Sequence, residues 1–317
     1  MKRRRTGWAI LGILSLAVAV HGQVAMAERT YIGTKWCIGC HRHKHEGIVK
    51  KYVDSPMAKT MAEAKDDNVK GDFAKAPIKR ADVAYVLAAG EHQQAYLDKD
   101  MKVLPAKWIV KDKKWVDTPA VDATKNCVGC HMTAYDHKAE TYKALGIGCE
   151  MCHGPGSAHK AASAVADRKK NIVIPNEIDK KASAMICGQC HSAGKSKDGA
   201  VPWAAGYRPG DNLNAFFNHA EVKGPGANQQ YTDLVKTKHY GKGVVCETCH
   251  DPHGETGHPA QLKASINDTC LKCHKAKVGD IPTHAAKQKV TAPAGATCAT
   301  CHMPEGRHLF DKSVVKK

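Results

Sequence analysis

Cysteine and histidine recur in this chain at a spacing that supports one kind of covalent chemistry. All 14 cysteines fall into seven copies of the pattern Cys-x-x-Cys-His, and none is left over. Two thiols at this spacing can add to the two vinyl groups along one edge of a porphyrin, and the imidazole that follows can then bind its iron. The copies are Cys37, Cys40 and His41; Cys127, Cys130 and His131; Cys149, Cys152 and His153; Cys187, Cys190 and His191; Cys246, Cys249 and His250; Cys270, Cys273 and His274; and Cys298, Cys301 and His302. The sequence therefore predicts seven covalently attached haem c groups, each with iron.

Two other uses of paired cysteines fit the pattern less well. Disulfides and zinc sites do not require a histidine after the second cysteine in every copy, and seven motifs do not pair evenly. The composition agrees with haem, because only 6% of the 317 residues are aromatic, which is a poor supply of large core side chains for this length. The porphyrins would fill that core. The same composition excludes a collagen, a coiled coil, a polytopic membrane protein and a low-complexity chain.

The first 27 residues have the features of a cleavable signal peptide. Residues 2–5 are basic, residues 8–20 are apolar, and residues 25–27 read Ala-Met-Ala, a small-residue cleavage signal. An uncleaved anchor is the alternative, but 13 apolar residues fall short of the roughly 20 that a spanning helix needs. We expect export to the periplasm, or onward to the cell surface or the medium, and no integral membrane span in the mature chain.

The chain is strongly basic, with a formal net charge of +17, of which the leader contributes four positive residues and no acid. Each haem brings two propionates, so much of the lysine excess serves as counter-charge. The basic residues are scattered rather than arranged in a stripe, which argues against a nucleic-acid partner.

These motifs must be positioned by a fold that is mainly α with extensive coil, organised around the covalent haems. Periodicity predicts helix in residues 43–64, with an interruption at Pro56, and in residues 134–145, 158–169 and 228–240. Residues 83–116 alternate apolar and polar positions and predict a small β-hairpin. Residues 202–226, rich in Gly and Pro, predict a loop.

Each iron needs a second axial ligand or an open face. Outside the leader and the motifs, eleven histidines remain, enough for bis-histidine ligation throughout. They are His43, His45, His92, His137, His159, His219, His239, His253, His258, His284 and His308.

Three segments resemble a known family. Residues 54–61, 126–131 and above all 146–159, which read Gly-Ile-Gly-Cys-Glu-Met-Cys-His-Gly-Pro-Gly-Ser-Ala-His, are similar to the tetrahaem cytochromes c that accept electrons from hydroxylamine oxidoreductase. The resemblance covers about residues 35–240 and the first four motifs. The last three motifs look like an extension found in larger multihaem cytochromes. We therefore expect a signal peptide at 1–27, a tetrahaem-like region at 28–245 and a trihaem extension at 246–317, packed as one unit with the rest.

The resemblance also implies axial ligands. His159 would pair with His41, and His239 would pair with His191. The family has a histidine where this chain has Met57, so either Met57 or another residue would bind the iron held by His153. The iron at His131 can lack a sixth protein ligand in this family, although His92 or His137 could close it. For the last three motifs, which the family lacks, the nearest candidates along the chain are His253, His258, His284 and His308, of which we favour His253 and His284, and then His308.

Two functions compete. The first is electron transfer between redox partner proteins, with a quinol-linked donor or another cytochrome or reductase as partner, along closely packed haems. The second is reduction of a small nitrogen oxide at a five-coordinate haem, which is disfavoured because every motif ends in histidine and no acid–base constellation stands out. We therefore expect no catalytic residues. A monomer, a homo-oligomer and a filament with haems stacked across interfaces all remain open.

Overall fold

The computed structural model describes residues 29–222, 228–254 and 256–310. The predicted signal peptide lies outside these residues. Among them, no helix has both the length and the apolar composition needed to cross a membrane.

Helices are short and are joined by irregular segments. Those in the described residues are α1 (Thr34–His41), α2 (Glu46–Asp54), α3 (Ala123–Asn126), α4 (Glu150–His153), α5 (Ser157–Ala161), α6 (Val165–Lys170), α7 (Lys180–Gly188), α8 (Gln230–Leu234), α9 (Lys238–Gly241), α10 (Cys246–Cys249), α11 (Ile266–Val278), α12 (Ile281–Lys287) and α13 (Cys298–His302). Single 3-10 turns lie at Phe73–Lys75, Arg80–Asp82, Val128–Cys130, Pro175–Glu177, Leu213–Ala215, Pro259–Gln261 and Pro304–Gly306. The predicted fold class, mainly α with extensive coil, is confirmed.

The strands between motifs 1 and 2 form more than a hairpin. The strands β1 (Met61–Glu63), β2 (Tyr85–Leu87), β3 (Gln93–Leu97), β4 (Val103–Ile109) and β5 (Lys114–Asp117) pair in chain order as an antiparallel meander. Both faces of this sheet are covered. Leu87, Leu97 and Val103 pack on Val128 and Met132 at motif 2, whereas Tyr96 and Trp108 pack in a second cluster on the other side. The sheet therefore supports the second motif.

Two further strand pairs occur near the motifs. β6 (Met132–Thr133) pairs with β7 (Ala144–Leu145), and β8 (Gly194–Ser196) pairs with β9 (Phe217–His219). The helix predicted over 134–145 is wrong. Ala134 adopts a φ of 53°, and the Asp136 carboxylate accepts the backbone N–H groups of Lys138 and Ala139. A side chain that bonds its own backbone in this way favours a turn over a helix.

Two other predicted helices are present but shorter. Residues 158–169 contain parts of α5 and α6, and residues 228–240 contain α8 and most of α9. Of the helix predicted over 43–64, only the part before Pro56 is present, as α2. The part after Pro56 is wrong, because Met61–Glu63 forms β1 and pairs with β2. The predicted loop over 202–226 also holds a 3-10 turn and β9.

The predicted tetrahaem-like region and trihaem extension contact each other in several places. Ser183 on α7 bonds the carboxylate of Glu247 on α10, and Arg307 forms an ion pair with Asp233 on α8. These contacts agree with packing as one unit, although the boundary at residue 245 stays a prediction.

Candidate haem-binding sites

Each cysteine motif lies in or beside a turn of helix. Motif 1 ends α1, motif 4 begins in the last turn of α7, motif 6 lies inside α11, and motifs 3, 5 and 7 form α4, α10 and α13 with their flanking residues. Motif 2 forms the 3-10 turn Val128–Cys130. One helical turn places two residues three apart on one face, so both thiols of a motif are presented together. None of the 14 cysteines forms a disulfide.

Several motif histidines are held at one ring nitrogen. A carbonyl oxygen lies within hydrogen-bonding distance of Nδ1 in four cases, which are His131 with the Thr60 carbonyl at 3.2 Å, His153 with Val173 at 2.8 Å, His250 with Ala260 at 2.8 Å and His191 with the Gln230 side chain at 3.2 Å. Because a carbonyl only accepts, Nδ1 carries the proton and Nε2 is left with its lone pair. Burial lowers the pKa of His131, His153 and His191, which favours the neutral ring that a metal binds.

Five of the seven motif histidines face a second histidine ring in the described part of the chain. The pairs, with their centroid separations, are His41–His159 at 5.9 Å, His153–His253 at 6.3 Å, His250–His308 at 6.2 Å, His274–His239 at 6.0 Å and His302–His284 at 6.3 Å. Imidazole nitrogens bind a metal at about 2 Å, so two rings on opposite sides of one metal have centroids about 6 Å apart. The residues therefore fit haem iron held between two histidines.

These pairs can be compared with the predicted ligands. His159 lies beside His41, as the resemblance implies, and its Nδ1 is held by the Arg168 carbonyl at 2.8 Å. His45, one turn along, is also near His41, at 5.1 Å. His284 and His308 face His302 and His250 of the last three motifs, whereas His253, also expected at these motifs, faces His153 of the third.

Two predicted ligands are placed differently from what the resemblance implies. His239 lies beside His274 of the sixth motif rather than beside His191. The ring that faces His153 is that of His253, which supplies the other residue that the sequence left open beside Met57. In each case the ring on the extension side, His274 or His253, belongs to a region for which the tetrahaem family has no counterpart.

His131 and His191 differ from the other five. None of the ring contacts in residues 29–222, 228–254 and 256–310 pairs either of them with a second imidazole. His137 is instead 4.0 Å from the Asp198 carboxylate, and His219 contacts Phe217, Tyr231 and Asn214.

Thiols from different motifs lie near each other. In four pairs a thiol of one motif raises the pKa of a thiol in another, namely Cys149 for Cys37, Cys130 for Cys190, Cys246 for Cys187, and Cys298 for Cys270. The spacing of the motifs along the chain did not predict which motifs lie near each other in the fold.

A cavity of about 200 Å³ adjoins the third motif. His153 lines it together with Arg29 and Arg208. Arg29 also donates from its Nη2 to the side-chain oxygen of Asn171 at 2.8 Å. An imidazole beside two guanidinium groups suits a ring that carries carboxylates, so the lining of this cavity fits a haem.

Sequence reasoning missed two buried carboxylates. Glu150, between the two cysteines of motif 3, is 1% exposed and accepts the backbone N–H groups of Ile32, Gly33 and Gly156. Asp233 is 3% exposed and pairs with Arg307. For Glu150 the sequence offered one signal, which is its position between the two cysteines of a motif. For Asp233, which lies outside every motif, the sequence offered no signal.

Comparison with known proteins agrees with this description. Residues 86–154 match the family described as "Cytochrome c554 and c-prime", and residues 239–279 match the "Doubled CXXCH motif". These matches confirm the resemblance predicted from the sequence.

The relatives and the structural neighbour each match this chain over only part of their length. The dissimilatory sulfite reductase MccA of Wolinella succinogenes is 27% identical over 63% of this chain and 30% of its own length. Cytochrome c-554 of Nitrosomonas europaea is 27% identical over 56% of this chain and 64% of its own. The chain thus spans less than two thirds of either relative. The outer cell wall cytochrome OcwA has a similar fold, with a TM-score of 0.70 and 21% identity over 89% of this chain and 79% of that one.

Proposed function

Because this chain is a multihaem c-type cytochrome whose 14 cysteines fit seven sites for covalently bound haem c, we propose that it is an electron-transfer protein. Iron that cycles between two oxidation states supplies one-electron chemistry when haem is bound. The chain would take electrons from a quinol-linked donor or another redox protein and pass them to a further protein. We place it in the periplasm or at the outer surface of the cell.

Seven attachment motifs in one chain, with thiols of different motifs near each other, support this proposal. The interacting thiols link motif 1 to motif 3, motif 2 to motif 4, motif 4 to motif 5 and motif 6 to motif 7. Cys152 of motif 3 lies within electrostatic reach of Cys187 in motif 4, and Cys249 of motif 5 within reach of Cys270 in motif 6. The sites therefore form one connected series, 1-3-4-5-6-7, with motif 2 branching from motif 4.

A connected series is what electron transfer requires. Tunnelling weakens steeply as the separation between ring edges grows, so a single isolated site would interrupt conduction. Each of the seven attachment sites has a thiol that interacts electrostatically with a thiol of at least one other site. A protein that only transformed one small substrate would not need this continuity over the whole chain.

We also propose the axial ligands of five haems. The chain would bind them between His41 and His159, His153 and His253, His250 and His308, His274 and His239, and His302 and His284. Their separations of 5.9 to 6.3 Å support this set. In this arrangement Met57 binds no iron and His239 serves the sixth motif.

A second candidate function is reduction of a small oxyanion at an open haem. Two observations favour it, namely the lack of a paired imidazole at His131 and His191 among the described residues, and the similarity to a protein named as a sulfite reductase. All seven motifs end in histidine, so no motif differs from the others in its proximal ligand. We therefore rank this function second.

Low-temperature EPR of the oxidised holoprotein separates the two functions. Electron transfer alone predicts a spectrum that does not change when nitrite or sulfite is added. A high-spin signal that shifts on addition, together with turnover of either ion by the reduced protein, would establish the reductase instead.

The same spectra test the ligand set through a matched pair of variants. We expect His253→Ala to convert one haem to high spin and Met57→Ala to leave the spectrum unchanged. The reverse result would assign Met57 to the third haem.

A further inference from the structure

A buried carboxylate ties the end of the chain to the middle of the fold. Asp233 on α8 accepts two bonds from one guanidinium, with Arg307 Nε 2.6 Å from Oδ2 and Arg307 Nη2 2.7 Å from Oδ1. The backbone N–H of His308 also donates to Oδ2, at 3.2 Å. The side chains of Asp233 and Arg307 are only 4% and 16% exposed.

This arrangement is a rigid one. Two parallel N–H···O bonds between guanidinium and carboxylate set the relative orientation of both groups. In a buried pair, removing one partner leaves the other charge without compensation, so the bond is not readily exchanged for water. Among the ion pairs in the described residues, it is the one with the least exposed partners.

The residue after Arg307 is the one that faces a haem attachment site. The His308 ring lies 6.2 Å from that of His250, with 31° between the ring planes. His308 Nδ1 is 2.9 Å from the Gly306 carbonyl, so the proton sits on Nδ1 and Nε2 is left as the metal ligand. Both ends of the His308 residue are thus held, the backbone by Asp233 and the ring by Gly306.

The short 3-10 turn before Arg307 explains why the bonds from Asp233 are needed to place His308. Within Pro304–Gly306, Glu305 adopts a φ of 56°, in the left-handed region that a residue with a Cβ occupies at a cost. A tail with such a turn has little local structure to place the histidine. The contact with Asp233, 74 residues earlier, supplies the missing restraint.

We propose that Asp233 is a positioning residue that, through Arg307, holds His308 as the second axial ligand of the haem attached at His250. This inference rests on the proposed ligand set. Asp233 itself touches neither the imidazole of His308 nor that of His250, and its role is to keep the sixth position of this haem closed. The same helix also carries Gln230, whose side-chain oxygen holds His191 Nδ1, so α8 supports the ligands of two adjoining sites.

The test uses the holoprotein with all seven haems, verified by mass. We expect Asp233→Asn to convert one haem of seven to high spin in the oxidised EPR spectrum and to create one binding site for carbon monoxide in the reduced protein. His308→Ala should do the same, and the double variant should show no second high-spin haem. Glu177→Gln, which breaks the exposed 2.8 Å pair with Lys169, is the matched control and should leave both readouts unchanged.

Three results would overturn the proposal. If Asp233→Asn adds no high-spin haem to those of the unsubstituted protein while His308→Ala adds one, Asp233 has no positioning role. If His308→Ala also has no effect, the ligand assignment fails with it. If the double variant gains a second high-spin haem, Asp233 acts elsewhere. Failure of the electron-transfer function would instead appear in the unsubstituted protein, as nitrite or sulfite turnover.

If Asp233→Asn does not accumulate as a folded protein, a second variant tests the same proposal. Arg307→Lys retains the positive charge but gives up the two-bond fork. We expect it to give a partial high-spin signal from the same haem. A spectrum identical to that of the unsubstituted protein would count against the proposal.

Discussion

Glu150 joins the residues just before α1 to the third attachment motif. Its carboxylate is 1% exposed, and its Oε1 accepts the N–H groups of Ile32 at 2.9 Å and Gly156 at 2.8 Å. Its Oε2 accepts the N–H of Gly33 at 2.7 Å, immediately before α1. We predict that Glu150→Gln, which keeps the shape and removes the charge, lowers the free energy of unfolding substantially.

The size of the effect follows from these three bonds. A glutamine oxygen at Oε1 keeps two of them, but as neutral bonds, each weaker by about 1 kcal/mol than a bond to a charged acceptor. The amide nitrogen at Oε2 then meets the N–H of Gly33, and a buried N–H without an acceptor costs about 1–3 kcal/mol. Burying an amide is less costly than burying a carboxylate, which offsets part of the loss. The net expectation is about 3 kcal/mol.

Guanidinium unfolding of the oxidised holoprotein, followed by far-ultraviolet circular dichroism, measures this difference. Covalent haem stays attached in both states, so the comparison between variants is not disturbed by loss of the group. Glu177→Gln serves as control, because its exposed ion pair should contribute less than about 1 kcal/mol. A loss below about 1 kcal/mol for Glu150→Gln would refute the argument that the three bonds hold the N-terminal segment.

Two further predictions concern the second motif. A Cβ at Gly129 would lie 2.1 Å from the ring of Trp203, whereas one at Gly39, at the same place in motif 1, meets nothing within 4 Å. Gly129→Ala should therefore lower the free energy of unfolding by about 1–3 kcal/mol, and Gly39→Ala should leave it almost unchanged. Equal guanidinium unfolding midpoints for the two variants would contradict this. Asp122 begins α3 and accepts the hydroxyl and backbone N–H of Thr124, and the hydroxyl bond lowers the pKa of Asp122 below its ordinary 3.8. A carboxyl whose pKa is lower in the folded state stabilises the protein at pH values above its unfolded pKa, and this stabilisation is lost as the pH falls through the folded pKa. Asp122→Ala should therefore lower the free energy of unfolding by about 1 kcal/mol at pH 7 and by progressively less below about pH 4. A difference in unfolding midpoint that stays constant down to pH 2 would show that the carboxylate charge plays no part.

Local chemistry was readable from the sequence. A haem attachment site needs two thiols and an imidazole within five residues, and one turn of chain brings them together whatever the rest of the fold does. Seven such sites, and a fold with little regular structure outside them, followed from spacing and composition. The match to cytochrome c554 and c-prime over residues 86–154 confirms the resemblance drawn from residues 54–61, 126–131 and 146–159.

Local pattern failed where longer contacts or side-chain turns compete with it. Residues 134–145 have a helical pattern, yet Asp136 closes a turn there and β6 pairs with β7. The predicted hairpin is part of a five-stranded sheet because β1, more than 20 residues before β2, adds to its edge. Propensity is a weak prior, and such tertiary pairing overrides it.

The sequence by itself determined how many haems the chain binds and which residues attach them, because that chemistry is confined to contiguous residues. Only the tertiary structure decided which motifs adjoin and which second histidine faces each of the five paired motif histidines. His253 is 100 residues from His153, and the carboxylate that holds the backbone of His308 is 75 residues away from it. Such partners are brought together by packing of the whole fold, and no spacing along the chain encodes them.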